Sequence, residues 1–419
     1  MTYLPRIADN ALNEKLSYAG AVVIRGPKWC GKTETALQRA KSILYMQDPD
    51  ERENNLAIAQ VKPSLLLAGD QPRLIDEWQV APQLWDAVRF SVDRNHGSGH
   101  FILTGSATPG EEPLHSGTGR FSFLDMRPMT LFESRESNGS VSLKDLFDSP
   151  DDIAGIAQGD IEDIAFLICR GGWPESVVSR NDKAALLAAR DYIDVVAEED
   201  ISRVDGVQRN ARYARLIMQA YARCSTTQAD MSTIRGNIKA QKGELSRATV
   251  NAYVSALRKL YIFEDLAAWQ PSLHAKSRIT TTPTRHYVDP SLAAAALGAS
   301  PELLLKDMST FGMMFETLCI RDLRVYAESS DGEVFHYRDN TGLEADVVIV
   351  LRDGRWGLVE VKMSARLIDE GATNLIKLAE KIDHGVMGEP SFLLVITPAH
   401  YAYRRPDGVY VAPLTCLKQ

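Results

Sequence analysis

The chain has 419 residues, 45% of them hydrophobic and 24% charged, and a formal net charge of -8. That balance excludes a disordered or collagen-like chain, fits about two to four folded domains, and gives no global basic signal for a nucleic-acid binder. The five cysteines (Cys30, Cys169, Cys224, Cys319, Cys416) form no CxxC pair, which argues against a disulfide scaffold or zinc ribbon and fits a reducing cytosol.

In chain order, AVVIR (21–25) is expected as a buried strand, followed by a glycine-containing turn and a helix from about Lys32. ILYMQ (43–47), RLID (73–76) and HFILTG (100–105) are expected strands alternating with helical patterns, the order of a parallel α/β domain. Residues 140–200 read as helical, interrupted by GGWPES (171–176). Three helical patterns follow between 211 and 265, then turn residues and short β-prone pieces over 266–288. From 311 the order becomes helix (311–325), three strands (333–338, 344–351, 357–362), helix (367–383) and strand (391–397).

GPKWCGKT (Gly26, Pro27, Lys28, Trp29, Cys30, Gly31, Lys32, Thr33) satisfies GxxxxGK[ST] between a strand and a helix. Gly26 and Gly31 let the backbone turn so that its N–H groups surround phosphate oxygens at a helix N-terminus. Lys32 is placed to reach the β and γ phosphates, and the Thr33 hydroxyl to ligate Mg²⁺. ATP and Mg²⁺ are the expected cofactors.

RLIDEWQ ends a strand on Asp76 and Glu77. Asp76 is the expected Mg²⁺ holder, through water, and Glu77 the general base on the attacking water. In isolation the pair reads better as a cap of the next helix; the phosphate loop upstream reverses that and decides for the metal. Thr104, at the end of FILTG, can orient the water. Arg120 in SGTGRFSF, and less so Arg127, are candidates to stabilise charge on the transferring phosphoryl group, in cis or from a neighbouring subunit. The second arrangement implies a homo-oligomer.

Residues 202–285 hold 14 Lys/Arg and 5 Asp/Glu, a local charge of +9 in a chain whose remainder sums to -17. Two readings fit: contact with a polyanion such as DNA, or a solvated helical surface. SRATVNAYVSALRKL (246–260) places Val250, Tyr253, Val254, Leu257 and Leu260 on one face. Arg247, Asn251, Arg258 and Lys259 lie opposite, and YIFEDLAAW with RHYVD can form a hairpin after the helices.

LEADVVIV and RWGLVEVKMS are expected as a hairpin. Alternation puts Leu358, Glu360 and Lys362 on one face, and Glu344 and Asp346 on one face, with Val347, Ile349, Val359 and Val361 turned to the buried side. Asp346 beside Glu360 could bind Mg²⁺ with substrate phosphate completing the shell. Lys362 could orient a water or balance phosphate charge.

The ordered set of phosphate loop, LIDEWQ, FILTGS, GRF and RPMTLFE resembles the prokaryotic AAA-like ATPases that carry a C-terminal domain of unknown function (the AAA_14 plus DUF4143 architecture). GGWPES, DYIDVVAEEDI, RHYVDPSLAAAAL, FETL and LEADVVIV extend the resemblance over nearly the whole chain. It implies an ATPase domain, a winged-helix-like middle and a restriction-endonuclease-like C-terminal fold. Asp346, Glu360 and Lys362 resemble the metal site of the PD-(D/E)xK nucleases, and Glu316 holds the place of the acid on the preceding helix. Ala345 stands where that pattern often has proline. Cleavage and mere binding both remain open for such a module.

The resulting expectation is a P-loop ATPase domain (1–136), a helical region completing it (137–205), a winged-helix-like domain (206–300) and a restriction-endonuclease-like α/β domain (301–419). DNA is the expected partner, through 206–285 and the C-terminal domain. The alternative is a nucleotide-switched regulatory protein with an inactive nuclease-like domain, acting on DNA or protein. No apolar run reaches the ~20 residues of a membrane span, and the polar MTYLPRIADNALNEKL lacks a signal-peptide core. A cytoplasmic protein is expected. His96, His100 and His115 show no metal-ligand spacing and read as surface or turn residues.

Overall fold

A computed structural model of the chain describes residues 3–105, 117–148, 153–240, 244–271 and 282–419; His115 lies outside them. The chain gathers into two compact units. The first holds Met1–Pro128, Glu198–Arg209 and Ser255–Ile262; the second holds Met129–Ala197, Asn210–Val254 and Phe263–Gln419. These units cut across the four expected sections, since most of 137–205 clusters with the C-terminal residues.

The first unit contains α1 (Ile7–Tyr18), β1 (Ala21–Arg25), α2 (Lys32–Leu37), β2 (Ser42–Tyr45), α3 (Arg52–Val61), β3 (Arg73–Asp76), α4 (Gln83–Asn95), β4 (Phe101–Gly105) and β5 (Phe121–Asp125). The strands form a parallel sheet in the order β2-β3-β4-β1-β5. β1 and β4 are almost wholly apolar runs, so they take the central places, covered on both faces. Val23, Ile75 and Leu103 pack with Trp78, Trp85 and Val88 in the core. β4 lies between β1 and β3, which sets Thr104 between the phosphate loop and Asp76. β5 was not among the expected strands. It is a half-exposed edge whose Asp125 is held by Arg25 at 2.8 Å, and its mixed FSFLD pattern carries little strand signal.

The second unit contains α5 (Ile161–Arg170), α6 (Asp182–Val195), α7 (Ala211–Ala222), α8 (Met231–Ala240), the first part of α9 (Arg247–Lys259), α10 (Pro290–Leu297) and α11 (Met308–Glu328). β6 (Gly332–Arg338), β7 (Glu344–Leu351), β8 (Trp356–Val361), α12 (Ile368–Lys381), β9 (Phe392–Thr397), β10 (Tyr401–Arg404) and β11 (Tyr410–Pro413) follow. The sheet runs from a short strand at Gly155–Ile156 through β10, β11, β9, β8 and β7 to β6. β6, β7 and β8 are an antiparallel meander, whereas β8, β9 and β11 are parallel. α12 connects β8 to β9. Its Ile368, Ala372, Leu375 and Ala379 recur at helical spacing and pack on Val348, Leu358 and Val395.

α9 buries Val250, Tyr253, Val254 and Leu257 and exposes Arg247, Asn251, Arg258 and Lys259, as its periodicity demands. Past it, Phe263 pairs antiparallel with Tyr287 and Leu266 with Thr284. The GGWPES and RHYVDPS segments serve packing. Arg321 of α11 is buried, 2.8 Å from Asp289 and 2.7 Å from Asp322. Asp289 accepts from Gly172 N (3.1 Å) and Asp322 from Leu131 N (2.9 Å), while Trp173 Nε1 donates to Ser291 Oγ (3.0 Å). All five cysteines are buried and free. Among the described residues, no helix is long and apolar enough to cross a membrane.

Candidate functional site

Strand β1 ends on Arg25, and the chain turns at once. Gly26 has φ +149, and a Cβ there would lie 2.1 Å from the Met126 carbonyl oxygen, so only glycine fits. Trp29 (φ 67) and Gly31 (φ 97) are also left-handed, which curls the loop into the N-terminus of α2. Lys32 is 5% exposed and folds over the loop, donating to Gly26 O (3.0 Å) and Pro27 O (2.6 Å). Cys30 is buried as loop filling.

Two hydroxyls converge on one carboxylate oxygen. Thr33 Oγ1 donates to Asp76 Oδ1 at 2.7 Å, and Thr104 Oγ1 donates to the same atom at 2.6 Å. Glu77 follows in a left-handed conformation (φ 56), its N–H directed at Thr104 Oγ1 (3.4 Å) and its carboxylate accepting from the Gln79 amide. Thr33, Asp76, Glu77 and Thr104 therefore form one connected set, drawn from α2, β3 and β4. Mg²⁺ sites need only one or two protein oxygens when phosphates and waters complete the shell. Thr33 and Asp76 beside the loop fit that requirement.

Arg120 does not join this set, which corrects its expected role in cis. β1 and β5 are parallel, with Ala21 opposite Phe121 and Arg25 opposite Asp125. Arg120 therefore precedes β5 at the edge opposite the phosphate loop, ~16 Å away at the rise of a strand. Its guanidinium pairs with Asp93 at 2.8 Å. Arg127 is buried beside the loop, and its carbonyl accepts from Arg6.

Arg6 is a residue that motif reading misses. It is 6% exposed and donates to Cys30 O (2.7 Å) and Arg127 O (2.8 Å), bracing the loop from below. No spacing marks it, because it lies upstream of every motif. Asp200, 2.6 Å from Lys28, lies in the DYIDVVAEEDI segment, but no spacing there marks it as a partner of the loop.

In the second unit, β7 and β8 pair with Val347 opposite Val359, which carries Asp346 to the level of Glu360. Asp346 Oδ2 accepts from Val361 N at 2.8 Å. The acid-bearing face is not the solvent side: Leu358 is fully covered and Glu360 is 1% exposed. α12 covers this face, and Lys362 lies against its Gly371. Lys362 Nζ is 2.7 Å from Glu360 Oε2. Burial first, then the Asp346 charge, pushes the Glu360 carboxyl up to about 8. Burial, then Asp346 and Glu360, drives Glu316 of α11 well above the ordinary range, with Lys362 and a Thr226 hydrogen bond pulling the other way. Burial pulls the Lys362 ammonium down, but Glu360 and Asp346 outweigh it and raise it. Glu316, Asp346, Glu360 and Lys362 thus share one electrostatic neighbourhood. Among the described residues, however, no three His, Cys, Asp or Glu side chains are gathered to hold a metal ion.

Comparison with known proteins matches three stretches of the chain. Residues 19–134 match the AAA domain family AAA_14. Residues 161–303 match DUF8612 and residues 311–417 match DUF4143, both domains of unknown function. Uncharacterized proteins of Mycobacterium bovis and Mycobacterium tuberculosis are each 24% identical over 364 residues, covering 86% of this chain and 74% of theirs. A Walker-type ATPase of Pyrococcus abyssi overlays with a TM-score of 0.42 at 13% identity, covering 70% of this chain and 96% of that one.

Proposed function

We propose, from the premise that residues 19–134 are an ATP-hydrolysing AAA domain, that the chain is a Mg²⁺-dependent ATPase whose cycle acts on DNA through residues 206–285 and the C-terminal domain. One observation carries the hydrolytic part: Thr33 and Thr104 both donate to Asp76 Oδ1 beside the phosphate loop. Loop amides and Lys32 hold the phosphates, turning from Gly26 O and Pro27 O toward the ligand. Thr33 and Asp76 would hold Mg²⁺, which supplies neutralisation of phosphate charge. Glu77 accepts the proton of the attacking water, and Thr104 orients that water. Arg120 contributes only from a neighbouring copy.

The DNA part is supported by the exposed basic face of α9 and the antiparallel bridges after it, which are compatible with a winged helix. The charge of +9 over 202–285 adds to this. A second reading is metal-dependent phosphodiester cleavage by the C-terminal fold. It is favoured by Glu360, a buried carboxylate beside Lys362 and at the level of Asp346. Asp346 and Glu360 would hold the metal, Glu316 would support them, and Lys362 would place the attacking water. ATP turnover measured with and without duplex and single-stranded DNA tests the first reading. Stimulation that fades with salt supports it, and indifference to DNA at low salt refutes it. Cleavage of labelled DNA with Mg²⁺ or Mn²⁺, abolished by Asp346→Ala, tests the second.

A further inference from the structure

The phosphate loop carries a second ammonium besides Lys32. Lys28 Nζ lies 2.6 Å from Asp200 Oδ1; the Asp200 side chain is 5% exposed and that of Lys28 47%. Asp200 closes a π-helical turn, Val196–Asp200, a form frequent at functional positions. Residues 198–209 cluster with the first unit, whereas the chain on both sides of them belongs to the second. The polypeptide therefore enters the ATPase unit at Glu198 and leaves it after Arg209. Within that visit Arg209 donates to Ile201 O (2.7 Å) and Asp205 Oδ1 (2.6 Å), and its N–H to Ser202 Oγ (2.9 Å).

We propose that Asp200 is a positioning residue for Lys28, and that this pair senses the terminal phosphate of the nucleotide. The inference rests on triphosphate binding at Gly26–Thr33. Lys28 is part of that loop and has a flexible four-carbon stem. The terminal phosphate of ATP competes with Asp200 for its ammonium, while ADP leaves the pair closed. Opening strands a buried carboxylate without its counter-ion, which is costly. Residues 198–209 must then rearrange to let water reach Asp200.

The full chain with Mg²⁺ provides the test, using ATPγS and ADP as probes. Amide exchange over 196–209 is expected to be faster with ATPγS than with ADP. Asp200→Asn frees Lys28 and raises the ATPγS-over-ADP affinity ratio by about tenfold, the scale of one charge-assisted hydrogen bond. Lys28→Met, a second variant should the first fail to fold, lowers the ratio below the wild-type value. A wild type that binds neither nucleotide defeats the loop assignment itself. A wild type that binds both, with equal exchange in the two complexes or an unchanged ratio in a folded variant, overturns the sensing role alone.

Discussion

The hydroxyl of Thr104 donates to Oδ1 of Asp76 at 2.6 Å, fixing the carboxylate from the strand that separates it from the phosphate loop. Removing that hydroxyl without changing shape isolates its role. Thr104→Val is expected to lower kcat for ATP about tenfold or more, leaving nucleotide affinity nearly unchanged, and Thr104→Ser to restore it. Steady-state turnover with equilibrium nucleotide titration distinguishes the two effects.

Glu77→Gln keeps the side chain's size and its bond to Gln79 but removes the proton acceptor. Turnover is expected to fall about 100-fold or more, with ATP still held. Nucleotide retained without hydrolysis, by filter binding, is the signature. Loss of binding instead would make Glu77 a structural cap.

Gly26→Ala would push a methyl to 2.1 Å from the Met126 carbonyl oxygen. A shift of the loop is unavoidable, and the expected cost is about 2 kcal/mol or more together with loss of ATP binding. Thermal unfolding and nucleotide titration of the same sample check both.

The buried Arg321, Asp289 and Asp322 cluster gives the second unit its own test. Asp289→Ala leaves Arg321 with one counter-ion and frees Gly172 N. A loss of about 1–3 kcal/mol is expected, from the buried Gly172 N–H left without an acceptor and the lost charge-assisted bond to Arg321, which Asp322 still neutralises. Denaturant titration measures it.

Glu360 gives a pH prediction with a definite sign. Its carboxyl is raised from 4.5 to about 8, by burial first and Asp346 second. A raised carboxyl favours the folded state fully below pH 4.5, and that contribution is lost as pH rises through 8. Glu360→Gln, neutral throughout, is therefore expected to melt higher than the wild type at pH 8 and above, with the difference closing toward pH 4.5. Melting temperatures across that range decide it.

The phosphate loop was legible because backbone chemistry demands its residues: no other residue fits at Gly26, and the motif sits between a strand and a helix. Asp76, Glu77 and Thr104 were legible as polar ends of apolar strands. Arg120 was left open between a role in cis and one in trans because a motif has no strand direction, and only the parallel register of β1 with β5 puts it at the far edge. Glu360 and Asp346 were paired correctly by alternation, but the face that holds Glu360 was expected to be open. α12 covers it, a tertiary fact that period-two reading cannot contain. Arg6 and Asp200 act over long sequence separations and leave no local trace.

ATP turnover by the purified full chain with Mg²⁺, beside its Lys32→Ala variant, bears most directly on the central assignment. Phosphate release by the wild type that the variant lacks is the expected result. Equal release by both, or none by either together with no nucleotide binding, would contradict it.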